Sequence, residues 1–166
     1  MGATTGPDLC VYDLKERKQT MLVQTQYNES QGQFSPDGHW VAYSSDESSR
    51  YEVYVRSFTG NSRFQISANG GGQARWRGDG KELYYISEGK LMVVPIKEDA
   101  ATFLRGNPRV LFEARALMGA IGSGPQGYVY DVTREGNRFL VIDRGDNGAE
   151  IQPLTLITNW QAGVRK

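Results

Sequence analysis

The sequence has one cysteine, one histidine and no net charge, since 19 Lys and Arg balance 19 Asp and Glu. Each shortage removes a class of answer. Cys10 alone can close no internal disulfide, so the fold must rest on its core. Within "DLCVYDL" it reads as a small buried apolar residue, the usual place of a free cysteine. One histidine and one cysteine cannot assemble a zinc site of nitrogen and sulfur ligands within one chain. His39 directly follows a turn, where it would not be a buried, oriented base for a serine–histidine–carboxylate triad; it reads as a surface residue. Zero net charge argues against nucleic acid or an anionic membrane as the main partner. The longest apolar run, "LMVV", falls far short of the ~20 residues of a membrane-spanning helix. No apolar signal segment precedes it, so no export address is visible, and "MGATTG" fails the myristoylation pattern at Gly6.

Catalytic motifs are also missing. The sequence has no H-R-D loop, no D-F-G and no G-x-S-x-G elbow. "GSGPQG", residues 122–127, matches the letters of a dinucleotide fingerprint, but Pro125 interrupts it and the strand-like "YVYDV" follows where a helix is needed. It reads as an insertion loop. "DRGDNGAE", residues 143–150, gathers carboxylates, yet Gly145 breaks the calcium-loop spacing, which leaves a hairpin loop. "KERK", residues 15–18, is a hairpin turn beside Asp13, and the Asn28-Glu29-Ser30 sequon is a chance match. No cofactor and no metal is implied, and the chain reads as non-catalytic.

What is abundant is glycine, at 20 residues, and tyrosine, at 9. "FSPDG" is a tight corner: Pro36 presets the first central turn position, Asp37 suits the second, and Gly38 takes the left-handed conformation that follows. "HWVAYSS" then reads as the returning strand of a hairpin. "ARWRGDGKELYYIS" repeats the layout with Asp79 and Gly80 at the turn, and "YDVTREGNRFLVID" repeats it again with Gly136. The three marker glycines are spaced by 42 and then 56 residues. Four-stranded repeats of about 40–45 residues are the mark of β-propeller blades.

The expected fold class is therefore all-β: a partial β-propeller of four-stranded antiparallel blades. Residues 1–30 end a preceding blade, with two strands. Residues 31–71 and 72–115 are complete blades, their outer strands supplied by "YEVYVRSF", "RFQIS", "GKLMVVPI" and "PRVLFEA". Residues 126–162 form an incomplete blade whose third strand is "IQPLTLITNW". With "FSPDG", "WVAYSS" and "EVYVRSF" the chain resembles the TolB-like repeat, a relative of the WD type, from about Asp8 to Trp160. It is also similar to the C-terminal propeller of bacterial multidomain proteins, where the propeller follows a Ser/Thr protein kinase domain or a DNA-binding winged helix. The resemblance implies a periplasmic or extracytoplasmic setting.

In a propeller the first strand of each blade lines the central channel. Aligning the corners matches Phe34 with Trp76 and Val132, which should pack against a neighbouring blade. One residue earlier stand Gln33, Arg75 and Asp131, a polar set that either binds a ligand at the channel mouth or staples adjacent blades through Arg75 and Asp131. Gln73, at the end of "NGGGQ", joins this candidate set, because the glycines let a partner approach the backbone. Two functional classes follow. One is a binding or sensor module for a protein, peptide or glycan, with no nucleic acid and no membrane insertion. The other is a scaffold fragment that completes a larger propeller or oligomer, by self-association or with upstream blades of its parent, which would be a multidomain kinase, transcription regulator or TolB-like protein.

Overall fold

The structure, a computed structural model, describes residues 6–98, 103–113 and 127–142. These hold thirteen β-strands in antiparallel sheets, and no helix occurs among the described residues. The expected strand "IQPLTLITNW" and the loop 143–150 lie outside the described residues, as do all but the last residue of "GSGPQG". Strands β1 (Leu9–Asp13) and β2 (Lys18–Val23) form a hairpin. Asp13 Oδ1 accepts the amides of Lys15 and Glu16, which closes the "KERK" turn. Strands β3 (Glu29–Phe34), β4 (Trp40–Ser45), β5 (Glu52–Ser57) and β6 (Arg63–Gln65) make a four-stranded sheet in sequence order.

The second sheet runs β7 (Gly72–Trp76), β8 (Glu82–Ser87), β9 (Lys90–Glu98), and its outermost place is shared by β10 (Phe103–Arg105) and β11 (Arg109–Glu113). The single fourth strand expected at "PRVLFEA" is thus corrected to two. β10 pairs with Ile96–Glu98 and β11 with Lys90–Val93. Between them stands Pro95, whose carbonyl accepts from Gly106 on this outer side. Proline has no N–H to offer on that side, so the ladder breaks there. Strands β12 (Tyr130–Val132) and β13 (Phe139–Val141) form a last hairpin.

The sheets stack face to face, and a core fills each seam. Trp40, Ala42, Val53 and Val55 of the first sheet meet Trp76, Leu83, Tyr85 and Val94 of the second. On its reverse the second sheet packs Tyr84, Ile86, Leu91 and Val93 against Val129, Tyr130 and Phe139. On its own reverse the first sheet packs Tyr43 and Tyr54 against Val23, Leu9 and Leu22 of the opening hairpin. Both faces of β4 and β8 are therefore covered, and every residue of these strands is buried. Each large apolar side chain so buried contributes roughly 1.5–3 kcal/mol. The arrangement is that of a partial β-propeller.

The three corners share one backbone. The amides of Gly38, Gly80 and Gly136 each donate at 2.9 Å to the carbonyl three residues earlier, of Ser35, Arg77 and Thr133. All three glycines have positive φ, at 76°, 75° and 72°. Pro36, Asp37 and Asp79 occupy the turns, and Asp79 Oδ1 accepts the Lys81 amide as Asp37 Oδ1 accepts that of His39.

Two expectations are corrected by face and cover. Cys10 is exposed, because it lies on the face of β1 opposite Leu9, pointing away from the first sheet. Phe34 is half exposed where its counterpart Trp76 is buried. Phe34 pairs with Val41 and so faces backward, like Trp76 opposite Leu83. Trp76 meets a full sheet there, whereas the described residues ahead of β3 offer only the β1–β2 hairpin. Phe34 instead packs edge-on against Phe58, with ring centroids 5.2 Å apart.

Candidate functional site at the inner strands

The inner strands β3 and β7 each carry an irregularity at the same place. The β3–β4 register shifts between Ser30 and Gln33, and the β7–β8 register between Gly72 and Arg75. Inside each shift a glutamine adopts positive φ, 57° at Gln31 and 58° at Gln73. These are β-bulges, which turn a side chain out of its normal alternation. The bulge aims each glutamine at the next sheet. Gln31 Oε1 accepts the Gln73 amide at 2.8 Å, and Gln73 Oε1 accepts the Val129 amide at 2.8 Å. One device, used twice, ties three successive blades together. Gln73, placed by sequence in the candidate binding set, is fully buried and holds this blade-to-blade link.

Tyr128 closes the set. Its hydroxyl donates at 2.8 Å to the Gln31 carbonyl, so the last blade reaches back to the first across the inner strands. Burial pushes the Tyr128 phenol up to about 12, against the opposing pull of Arg75 and of a hydrogen bond with Gln33. The phenol therefore stays protonated and remains a donor near neutral pH.

Arg75 lies over this ring, its guanidinium carbon 3.8 Å from the Tyr128 centroid. Its Nε stands 3.7 Å from Asp131 Oδ1, too far for a hydrogen bond, and is buried with no hydrogen-bond partner among the described residues. Asp131 is largely solvent-exposed, and its Oδ1 also accepts the amide of Val132. The structure thus places Arg75 beside Asp131, on adjacent inner strands. Gln33 sits in the first sheet, where its carbonyl accepts from Trp76 Nε1 at 3.2 Å. The Tyr130 hydroxyl is buried without a hydrogen-bond partner among the described residues, and burial raises its pKa well above the usual range.

Sequence alignment of the corners found Gln33, Arg75 and Asp131 but missed Gln31 and Tyr128. Gln31 and Gln73 share the 42-residue spacing of the first two corner glycines, the one signal that marks them. Among the described residues no group of three or more His, Cys, Asp or Glu gathers to hold a metal ion. The arrangement gathers a stacked guanidinium–phenol pair and an exposed carboxylate beside the inner strands.

No family model matches the chain, and no curated protein sequence does. Among solved structures, TolB from Acinetobacter baumannii resembles it with a TM-score of 0.51 at 16% identity. The match covers 80% of this chain and 31% of that one, so the chain spans about a third of the length of TolB. At this identity the likeness shows the fold alone, that of a TolB-like β-propeller.

Proposed function

We propose that this chain is a non-catalytic binding module, recognising a protein, peptide or glycan at the inner-strand end of its blades. The observation that carries the reading is the half-buried Arg75, stacked on Tyr128 and standing beside the exposed Asp131 carboxylate. An arginine held flat by an aromatic ring keeps its donors aimed and loses little entropy on binding a partner. Asp131 supplies an acceptor beside it, so a ligand with both a donor and an acceptor can engage the pair. The module belongs to a larger bacterial protein, following a kinase or DNA-binding domain or standing in a TolB-like chain, in an extracytoplasmic setting. A protein or peptide partner suits the site best, because amide groups offer donor and acceptor together.

Selection from a random-peptide display library, with a glycan array in parallel, tests this. Binders recovered on the wild type should lose at least about tenfold in affinity, 1.4 kcal/mol, against Arg75→Ala. Thermal unfolding of the variant should stay near that of the wild type. Selected binders indifferent to both Arg75→Ala and Asp131→Ala would place recognition elsewhere and end the proposal.

A further inference from the structure

The run "NGGGQ", residues 69–73, leads from β6 into β7, and the residues entering β5 strap it down. Arg50 Nη2 donates to the Ala68 carbonyl at 3.3 Å, and the Gly71 amide donates to the Tyr51 carbonyl at 2.8 Å. Between them the Gly70 amide donates at 2.8 Å to Oε1 of Glu52, a carboxylate only 1% exposed. Glu52 is itself fixed: Arg50 Nε lies 3.0 Å from the same Oε1, and the Ser67 hydroxyl donates to Oε2. Gly70 holds φ at 86°, a conformation that a side chain would strain.

Asn69 alone of residues 68–71 takes part in none of these bonds, and it is exposed. An asparagine followed by glycine is the pair in which the next backbone nitrogen closes most easily on the side-chain carbonyl, because glycine has no Cβ to obstruct the ring. Closure requires that nitrogen to give up its proton and turn toward Cγ. Here Glu52 holds the proton in a charge-assisted hydrogen bond, the strong class of such bonds.

We propose that Asn69 is a deamidation site gated by Glu52. While Gly70 donates to the carboxylate, Asn69 persists. When the clasp opens, the Gly70 nitrogen loses its proton to water or hydroxide and bonds to Asn69 Cγ. The Cγ–Nδ2 bond breaks and ammonia leaves. Water then opens the cyclic imide at either carbonyl, giving aspartate or isoaspartate at this position. The sum is water consumed and ammonia released, with no oxidant or reductant. Either product adds a carboxylate next to the amide that Glu52 holds. Isoaspartate also lengthens the backbone by a methylene just ahead of the Gln73 bulge. The modification thus loosens the approach to the Gln73–Val129 link between blades.

The test is peptide mapping by mass spectrometry after incubating the whole chain at mildly alkaline pH, with a synthetic peptide of residues 64–75 in parallel. Trypsin releases Asn69 on residues 64–75, apart from the other Asn-Gly pair at 147–148. Asn69 in the folded chain should convert at least about tenfold more slowly than in the peptide, since a hydrogen bond to a charged acceptor must break first. Glu52→Gln keeps the shape, removes the charge and should raise the folded rate severalfold. Arg50→Met, at a side chain 58% exposed, keeps the fold while removing both the Ala68 strap and the partner of Glu52, and should raise the rate as well. Circular dichroism checks that each variant is folded during incubation. Acceleration in either folded variant supports the gate. Equal rates in chain and peptide would show that the clasp does not slow the reaction, and would overturn the proposal. So would a wild-type rate in every variant that folds, because Asn69 would then owe its persistence to another contact.

Discussion

The first and second corners have the same backbone and different causes. At Ser35–Gly38 the turn is held by its own side chains: Ser35 Oγ donates to Asp37 at 2.6 Å and accepts the Trp40 amide at 2.9 Å. At Arg77–Gly80 the hydroxyl is gone, and the neighbouring blade takes over. The Gly78 amide donates at 2.9 Å to the carbonyl of Arg134 in the third corner. A Cβ at Gly78 would come within 2.9 Å of that oxygen and 3.1 Å of the Arg134 Cα. Pro36, at the equivalent place, has no N–H and is exposed. The replacement of Ser-Pro by Arg-Gly therefore exchanges the Ser35 hydroxyl for a bond to the next blade, while Asp79 keeps the local bond that Asp37 makes in the first corner. The lesson is that one motif in a repeat can be specified by its own residues in one place and partly by its neighbour in the next.

The sharpest test of this difference is a pair of valines. Gly78→Val should destabilise by about 3 kcal/mol, because a Cβ there meets the Arg134 Cγ first and the Arg134 backbone behind it, so the third corner must move. Pro36→Val meets no neighbour of that kind and should cost below about 1 kcal/mol, the entropy released to the unfolded chain. Urea unfolding of the two variants checks this, and equal midpoints would erase the distinction between the corners.

The bulge glutamines extend the comparison to the inner strands. Gln73→Ala should cost about 2 kcal/mol, since it leaves the Val129 amide unsatisfied in a buried seam. Gln31→Ala removes bonds to Ser44 and to the Gln73 amide, but the site is half-buried and water can replace them, at about 1 kcal/mol. Amide hydrogen exchange at Val129 should accelerate in the first variant and hardly change in the second.

Acid unfolding probes the first corner's local support. Burial pulls the Asp37 carboxyl upward, but hydrogen bonds from Ser35 and the His39 amide outweigh it and hold its pKa below the usual 3.8. A depressed carboxyl stabilises the fold above pH 3.8, and that contribution is lost as pH falls through the folded value. Ser35→Ala should cost about 1 kcal/mol near neutral pH by freeing the Trp40 amide. It should also flatten the acid limb of the stability curve, and an unchanged limb would show that Ser35 does not set the Asp37 charge.

The corners were legible in sequence because their requirement is local. Positive φ selects glycine, and Gly38, Gly80 and Gly136 announce themselves. The strand order of the first sheet and of the first three strands of the second followed from the same spacing, and the structure sets Arg75 beside Asp131. What remained hidden depends on cover. Cys10 and Phe34 carry the character of buried residues, and among the described residues no full sheet lies against their faces. Gln31 and Gln73 take positive φ without being glycine, and Tyr128 reaches Gln31 from 97 residues away, so nothing adjacent in sequence marks either. The split outer strand was signalled by Pro95 alone, whose effect depends on which edge its nitrogen faces.

The smallest expected effect separates the two partners of Arg75, the position where the second repeat departs from the neutral Gln33 of the first. The alignment of the corners leaves Arg75 and Asp131 as either a staple between blades or a shared binding pair. The geometry favours Tyr128. Asp131 is 63% exposed and stands 3.7 Å away without a hydrogen bond, so water screens the pair to below about 0.5 kcal/mol. The Tyr128 ring is half-buried at 3.8 Å beneath the guanidinium, in the range where a cation–π contact contributes about 1 kcal/mol. Double-mutant cycles with Arg75→Met, taken against Asp131→Asn and against Tyr128→Leu, measure both terms in one protein. The Tyr128 coupling should be the larger, and raising salt from about 0.05 to 0.5 M should reduce the Asp131 coupling more, because the Debye length shrinks around an exposed pair. A larger Asp131 coupling would make Arg75 a staple between blades, spent on its neighbour as Gln73 is. A larger Tyr128 coupling leaves the carboxylate and the guanidinium edge open to a ligand.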